Sequence, residues 1–152
     1  MSKLLILGYG NETRGDDGIG PWVANSLQNR LQANQKSIQV LACHQLVPEF
    51  SALFCEFDYV IFIDAQIGIF EVQLKPIEPK FEGDWSFHHP EPASLLGLTG
   101  AVFGRIPLGL MVSIPASCLD FIGNFSVMTQ LGAESAILQI MEWITTHLKN
   151  ED

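Results

Sequence analysis

Leu4-Leu5-Ile6-Leu7, followed by Gly8-Tyr9-Gly10-Asn11-Glu12-Thr13-Arg14-Gly15-Asp16-Asp17-Gly18-Ile19-Gly20, decides how the rest of the chain folds. Four consecutive aliphatic residues bounded by glycine read as a strand buried on both faces, as in a parallel sheet covered by helices. The glycines permit a tight turn. Ile19, Trp22, Val23, Leu27 and Leu31 then recur at offsets of three and four, so the segment from Asp17 to about Asn34 reads as an amphipathic helix with its apolar stripe on the sheet. Pro21 suits a first helical turn, and Asp16 or Asp17 stands where a carboxylate accepts the orphan N–H groups of a helix start.

Working outward, Ser37 to Cys43 reads as a second strand, with a short helix to about Cys55. Tyr59-Val60-Ile61-Phe62-Ile63, the most apolar and β-branched run, reads as the central strand and ends at Asp64. Phe70 to Ile77 is a strand whose prolines, Pro76 and Pro79, suit an edge position. Ala93 to about Phe103 is a helix, Leu108 to Ile114 a buried strand, and Pro115 to Ser126 a loop. A long closing helix carries Ile137, Leu138, Met141, Ile144 and Leu148, with Ser126 or Thr129 as its cap. This order predicts one α/β domain over residues 1–152. Its architecture is a three-layer sandwich: a mostly parallel, twisted five-stranded sheet with one antiparallel strand and helices on both faces.

A net charge of −9 opposes binding to nucleic acid or anionic membranes. With 47% hydrophobic and 16% charged residues the chain builds a large core, and its apolar runs are too short and interrupted to cross a bilayer. Three cysteines, Cys43, Cys55 and Cys118, without paired metal-ligand spacing fit a reducing, cytoplasmic setting.

Asp17 and Asp64 each follow a strand, and in an open α/β sheet ligands bind at that edge, so both acids are expected in one crevice. His88 and His89 lie in an irregular stretch from Lys80 to Pro92. Two carboxylates and an imidazole suit a borderline divalent cation such as nickel, zinc or manganese, with open positions for substrate. Plainer readings stand beside these. An aspartate at a helix start is commonly a cap, adjacent loop histidines are commonly exposed, and Cys43 beside His44 is weak evidence for thiol chemistry. A phosphate loop is disfavoured, because the third glycine of the dinucleotide pattern is missing and Asp16-Asp17 would repel phosphate.

Gly8-Tyr9-Gly10-Asn11 with Arg14-Gly15-Asp16-Asp17-Gly18-Ile19-Gly20 closely resembles the N-terminal signature of the hydrogenase maturation proteases, which trim the C-terminus of the large subunit of [NiFe] hydrogenases. His44-Gln45-Leu46-Val47-Pro48-Glu49, Phe62-Ile63-Asp64-Ala65, His88 ahead of Pro92-Ala93-Ser94-Leu95-Leu96, and Ile114-Pro115 are similar to further segments of that family, in order. The resemblance implies an endopeptidase, of aspartic-type or metal-assisted mechanism, acting on a [NiFe]-hydrogenase large-subunit precursor. It implies nickel supplied by that precursor, metal ligands at Asp17, Asp64 and His88, with His89 as the register alternative, and catalytic carboxylates among Asp17, Asp64 and Asp16. Gly10, Asn11, Gly18 and Gln45 would bind the substrate, and the free protein would be a monomer. A non-catalytic, nickel-sensing or chaperone-like module binding the same precursor is the alternative.

Overall fold

The computed structural model describes residues 2–31, 36–81, 90–119 and 124–148. Strand β1 (Leu4–Tyr9) leads through a 3-10 turn (Gly15–Gly18) into α1 (Ile19–Leu31). Then follow β2 (Ile38–Cys43), α2 (Phe50–Phe54), β3 (Tyr59–Ile67), β4 (Gln73–Ile77), α3 (Pro92–Phe103), β5 (Leu108–Ala116) and α4 (Val127–His147). The five strands form one sheet in the order β2-β1-β3-β5-β4, parallel except where β4 runs antiparallel to β5. The expected architecture is the observed one.

The alternation of side chains along each strand divides the core in two. Leu4, Ile6, Ile61 and Ile63 face α1 and α4, meeting Val23, Leu27, Ile137 and Ile140. Leu5, Leu7, Val60 and Phe62 face the other way, onto Phe54 of α2 and Leu95 and Leu96 of α3. All of these are buried, so β1 and the first half of β3 are covered on both sides, which is why they read as unbroken apolar runs.

Several boundaries differ from expectation. The first helix begins two residues later, because Gly15–Gly18 winds as a 3-10 turn. Strand β3 does not end at Asp64 but continues to Ile67, pairing with Ser113 to Ala116 of β5; only its pairing with β1 stops, at Ile63. Strand β5 also runs on through Pro115, which is tolerated because β4 pairs no further than Ser113 and leaves no ladder bond for that missing N–H. Pro76 sits in β4, an edge strand, as its chemistry requires. Ser126 caps α4, its hydroxyl accepting from the Thr129 N–H.

From β1 the chain moves outward to β2 on one side, then crosses to β3 on the other. That reversal leaves a crevice beyond the carboxyl ends of β1 and β3.

Candidate active site

Asp17 reaches this crevice from the turn after β1. Its carboxylate does not cap α1. Oδ2 accepts the backbone N–H of Asn11 at 2.9 Å, across the turn. Asn11 in turn folds the loop tip, its side-chain oxygen accepting from the Thr13 N–H (2.9 Å) and hydroxyl (2.6 Å). Among the described residues nothing hydrogen-bonds the second oxygen of Asp17, and the residue lines a cleft of about 450 Å³.

Asp64 enters the same cleft from β3, one residue past the last pairing with β1. Its Oδ1 accepts the Ala65 N–H at 2.8 Å. Burial pushes its pKa up to about 6, and the Asp17 charge pushes the same way, against the hydrogen bonds from Ala65 and the Tyr9 hydroxyl. Two carboxylates that repel each other in a half-buried cleft are an arrangement a cation would relieve.

Tyr9 is a site residue that the sequence reading passed over. Leu5, Leu7 and Tyr9 share one face of β1, the face on which Asp64 stands, so the period-2 rule alone carries the signal. Burial first, and then the charge of Asp64, hold its phenol well above the ordinary value, so it stays a hydrogen-bond donor to that carboxylate. His44, Gln45, Glu91 and Pro92 complete the cleft walls. Gln45 and Gly10 also line this cleft. Asn11 lines an adjoining cleft, not this one.

Asp16 requires a correction. Its carboxylate, 1% exposed, accepts from the N–H and hydroxyl of Ser117, the Cys118 N–H, and the N–H and hydroxyl of Ser126. Burial alone would raise its pKa, but the hydrogen bonds from Ser126, Ser117 and Cys118 outweigh burial and bring it down to about 2. So held, it is a poor base and a tie between the first turn, the end of β5 and the start of α4.

Gly18 is not among the residues lining this cleft, and a Cβ there would stand 2.8 Å from the Glu12 Cα, so its missing side chain makes room for the chain's own loop. Gly10 has a positive φ of 148°, and a Cβ on it would meet the Asp17 carbonyl oxygen at 2.0 Å. His88 and His89, the expected third ligand and its alternative, lie outside the described residues; Pro90, which follows them, lines the cleft. Among the described residues no group of three His, Cys, Asp or Glu side chains could hold a metal ion. Cys43 is no activated nucleophile, because burial raises its thiol pKa.

No protein-family model matches the sequence, and no curated protein sequence matches it. Solved structures do match. The [NiFe] hydrogenase maturation protease HycI from Thermococcus kodakarensis is 21% identical, with a TM-score of 0.71 over 93% of this chain and 91% of that one. The hydrogenase maturating endopeptidase HybD from E. coli is 19% identical, with a TM-score of 0.77 over 95% and 93%. A hydrogenase 2 maturation peptidase from a Thaumarchaeota archaeon is 17% identical, with a TM-score of 0.68 over 93% and 97%. Over nearly its whole length, then, this chain has the fold of the solved hydrogenase maturation proteases.

Proposed function

We propose that this chain is a processing endopeptidase that removes the C-terminal extension of a [NiFe]-hydrogenase large-subunit precursor already loaded with nickel. The observation that carries the reading is the meeting of Asp17 and Asp64 in one cleft at the switch point of the sheet. The donor chemistry fits: carboxylate oxygens, with an imidazole from His88 or His89, suit a borderline divalent ion. The nickel belongs to the substrate and brings ligands of its own, so a protease site short of a full ligand set is no obstacle. At the site the ion polarises the scissile carbonyl or an attacking water.

The chain's own groups then have distinct tasks. Asp17, anchored by the Asn11 N–H, holds one oxygen toward the incoming tail. Asp64, its carboxylate oriented by the Tyr9 hydroxyl, takes the proton from the attacking water. The protein acts in the cytoplasm, as a monomer when free, consistent with three free cysteines. Among the described residues no helix is long and apolar enough to cross a membrane.

Incubating the protein with nickel-loaded precursor and weighing the product by mass spectrometry tests the reading. The expected result is loss of a C-terminal peptide, abolished by Asp64→Asn and by one of His88→Ala or His89→Ala. A stable complex without mass loss would convert the protein into a non-catalytic nickel-sensing or chaperone-like binder. Undiminished trimming by Asp64→Asn would sink the site assignment.

A further inference from the structure

Asn11 touches Asp17 with its backbone and its own loop with its side chain. The N–H donates to Asp17 Oδ2 at 2.9 Å, while the side-chain Oδ1 accepts the Thr13 N–H at 2.9 Å and the Thr13 hydroxyl at 2.6 Å. The Asn11 carbonyl accepts the Arg14 N–H at 3.1 Å, and the Arg14 carbonyl accepts the Asp17 N–H at 3.1 Å. These bonds close the loop from Asn11 to Asp17 upon itself. Asn11 and Thr13 line a neighbouring cleft of about 280 Å³ and not the one into which Asp17 and Asp64 project.

A hydrogen bond orients its acceptor only if the donor is itself held. Glu12, Thr13 and Arg14 are exposed, so packing does not fix the loop tip and water competes for its polar groups. On the strand side the Gly10 N–H is anchored to the Cys43 carbonyl at 3.2 Å, and Gly10, with its φ of 148°, takes the bend. On the far side the path is set by the Asn11 side chain, which bonds the backbone two residues on, as asparagine does in a turn of this kind. The consequence reaches the cleft. With Oδ2 occupied by the Asn11 N–H, the other oxygen of Asp17 is the one left to a cation, and hydrogen-bond partners of this sort hold a ligating carboxylate in the orientation its ion requires.

We propose that Asn11 is a positioning residue for trimming: the turn its side chain makes with Thr13 holds its N–H on Asp17, and so presents one Asp17 oxygen to the metal of the precursor. This deepens the protease reading and rests on it. The side chain acts through Asp17 and makes no contact with the precursor.

The test compares wild type with Asn11→Ala, which removes the acceptor of the turn, and with Asn11→Asp, which keeps that acceptor but loses the amide NH2 that a contact with substrate would use. Each protein is offered nickel-loaded precursor, and hydrogen exchange of the residue 11 amide is followed by NMR in the free protein. Asn11→Ala is expected to trim about tenfold more slowly and to exchange this amide about tenfold faster, while Asn11→Asp stays within about twofold of wild type in both. Trimming thus follows protection of the amide. Wild-type trimming by Asn11→Ala, or slow trimming by Asn11→Asp with its amide still protected, would overturn the positioning role and leave the protease reading intact. An amide that stays protected in Asn11→Ala would overturn it too, whether or not precursor is cut. Wild-type protein that trims no loaded precursor overturns the protease reading, and the positioning role with it.

Discussion

At Asp16 five hydrogen bonds converge on one buried carboxylate from two distant segments, the end of β5 and the start of α4, so this residue carries more structural consequence than the cleft acid Asp17 beside it. Asp16→Asn leaves N–H donors facing an NH2 group and is expected to cost on the order of 3 kcal/mol at neutral pH. The pH dependence has a definite sign. A folded-state pKa near 2, below the ordinary 3.8, means stability present above about pH 4 and lost as pH falls toward 2. Chemical denaturation at pH 7 and pH 3 should show this loss in wild type and a smaller one in the variant; equal acid dependence would remove Asp16 from that role. Asp64 carries the opposite sign. Its folded pKa of about 6 lies above 3.8, so the folded state is penalised at high pH and relieved below about pH 4. Asp64→Asn is therefore expected to unfold at higher denaturant than wild type at pH 8, by about 1 kcal/mol after solvent screening in the open cleft, with the advantage gone at pH 4. A variant less stable than wild type at pH 8 would contradict that balance.

The first turn works as an element because β1 and the start of α1 nearly touch. A Cβ on Gly20 would stand 2.5 Å from the Tyr9 carbonyl oxygen and 2.6 Å from that of Ile63, and one on Gly8 would stand 2.2 Å from the Gly20 oxygen. No side chain fits between. Gly20→Ala must push α1 off the sheet, which is expected to cost roughly 2–3 kcal/mol and to carry Asp17 out of reach of Asp64, so that trimming falls with stability. Gly68→Ala is the contrast: its Cβ meets nothing within 4 Å, and only the positive φ of 93° is strained. It should cost about 1 kcal/mol and leave trimming unchanged. Comparable losses from both substitutions, measured by thermal unfolding, would show that backbone conformation and not close packing sets the requirement at Gly20.

Across the whole molecule the two cores share their strands. Leu4 and Ile6 of β1 belong to one, Leu5 and Leu7 to the other, and β3 divides the same way. Neither layer can lose its packing while the sheet keeps the other, so residues 1–152 are expected to unfold as one domain in one step. Tryptophan fluorescence and far-UV circular dichroism should give coincident denaturation curves. Trp143, packed against Tyr59, reports one face of the sheet directly. Separated transitions would mean that the helical layers come away independently.

Much of this was legible in the chain itself. The unbroken apolar runs Leu4–Leu7 and Val60–Ile63 disclosed strands covered on both sides, because only burial on both faces removes the need for alternation. The order of elements then implied the switch point, and with it that acids following β1 and β3 would meet. Even Tyr9 lay within reach of the alternation rule. Other matters waited on tertiary structure. Asp16 and Asp17 are identical in chemistry and adjacent in sequence, and only the approach of Ser117 and Ser126, about a hundred residues away, makes one a buried tie and leaves the other open to the cleft. The glycines of the first turn permit a tight turn, but only the packed fold decides what each missing Cβ makes way for, which at Gly8, Gly10, Gly18 and Gly20 is the chain's own backbone.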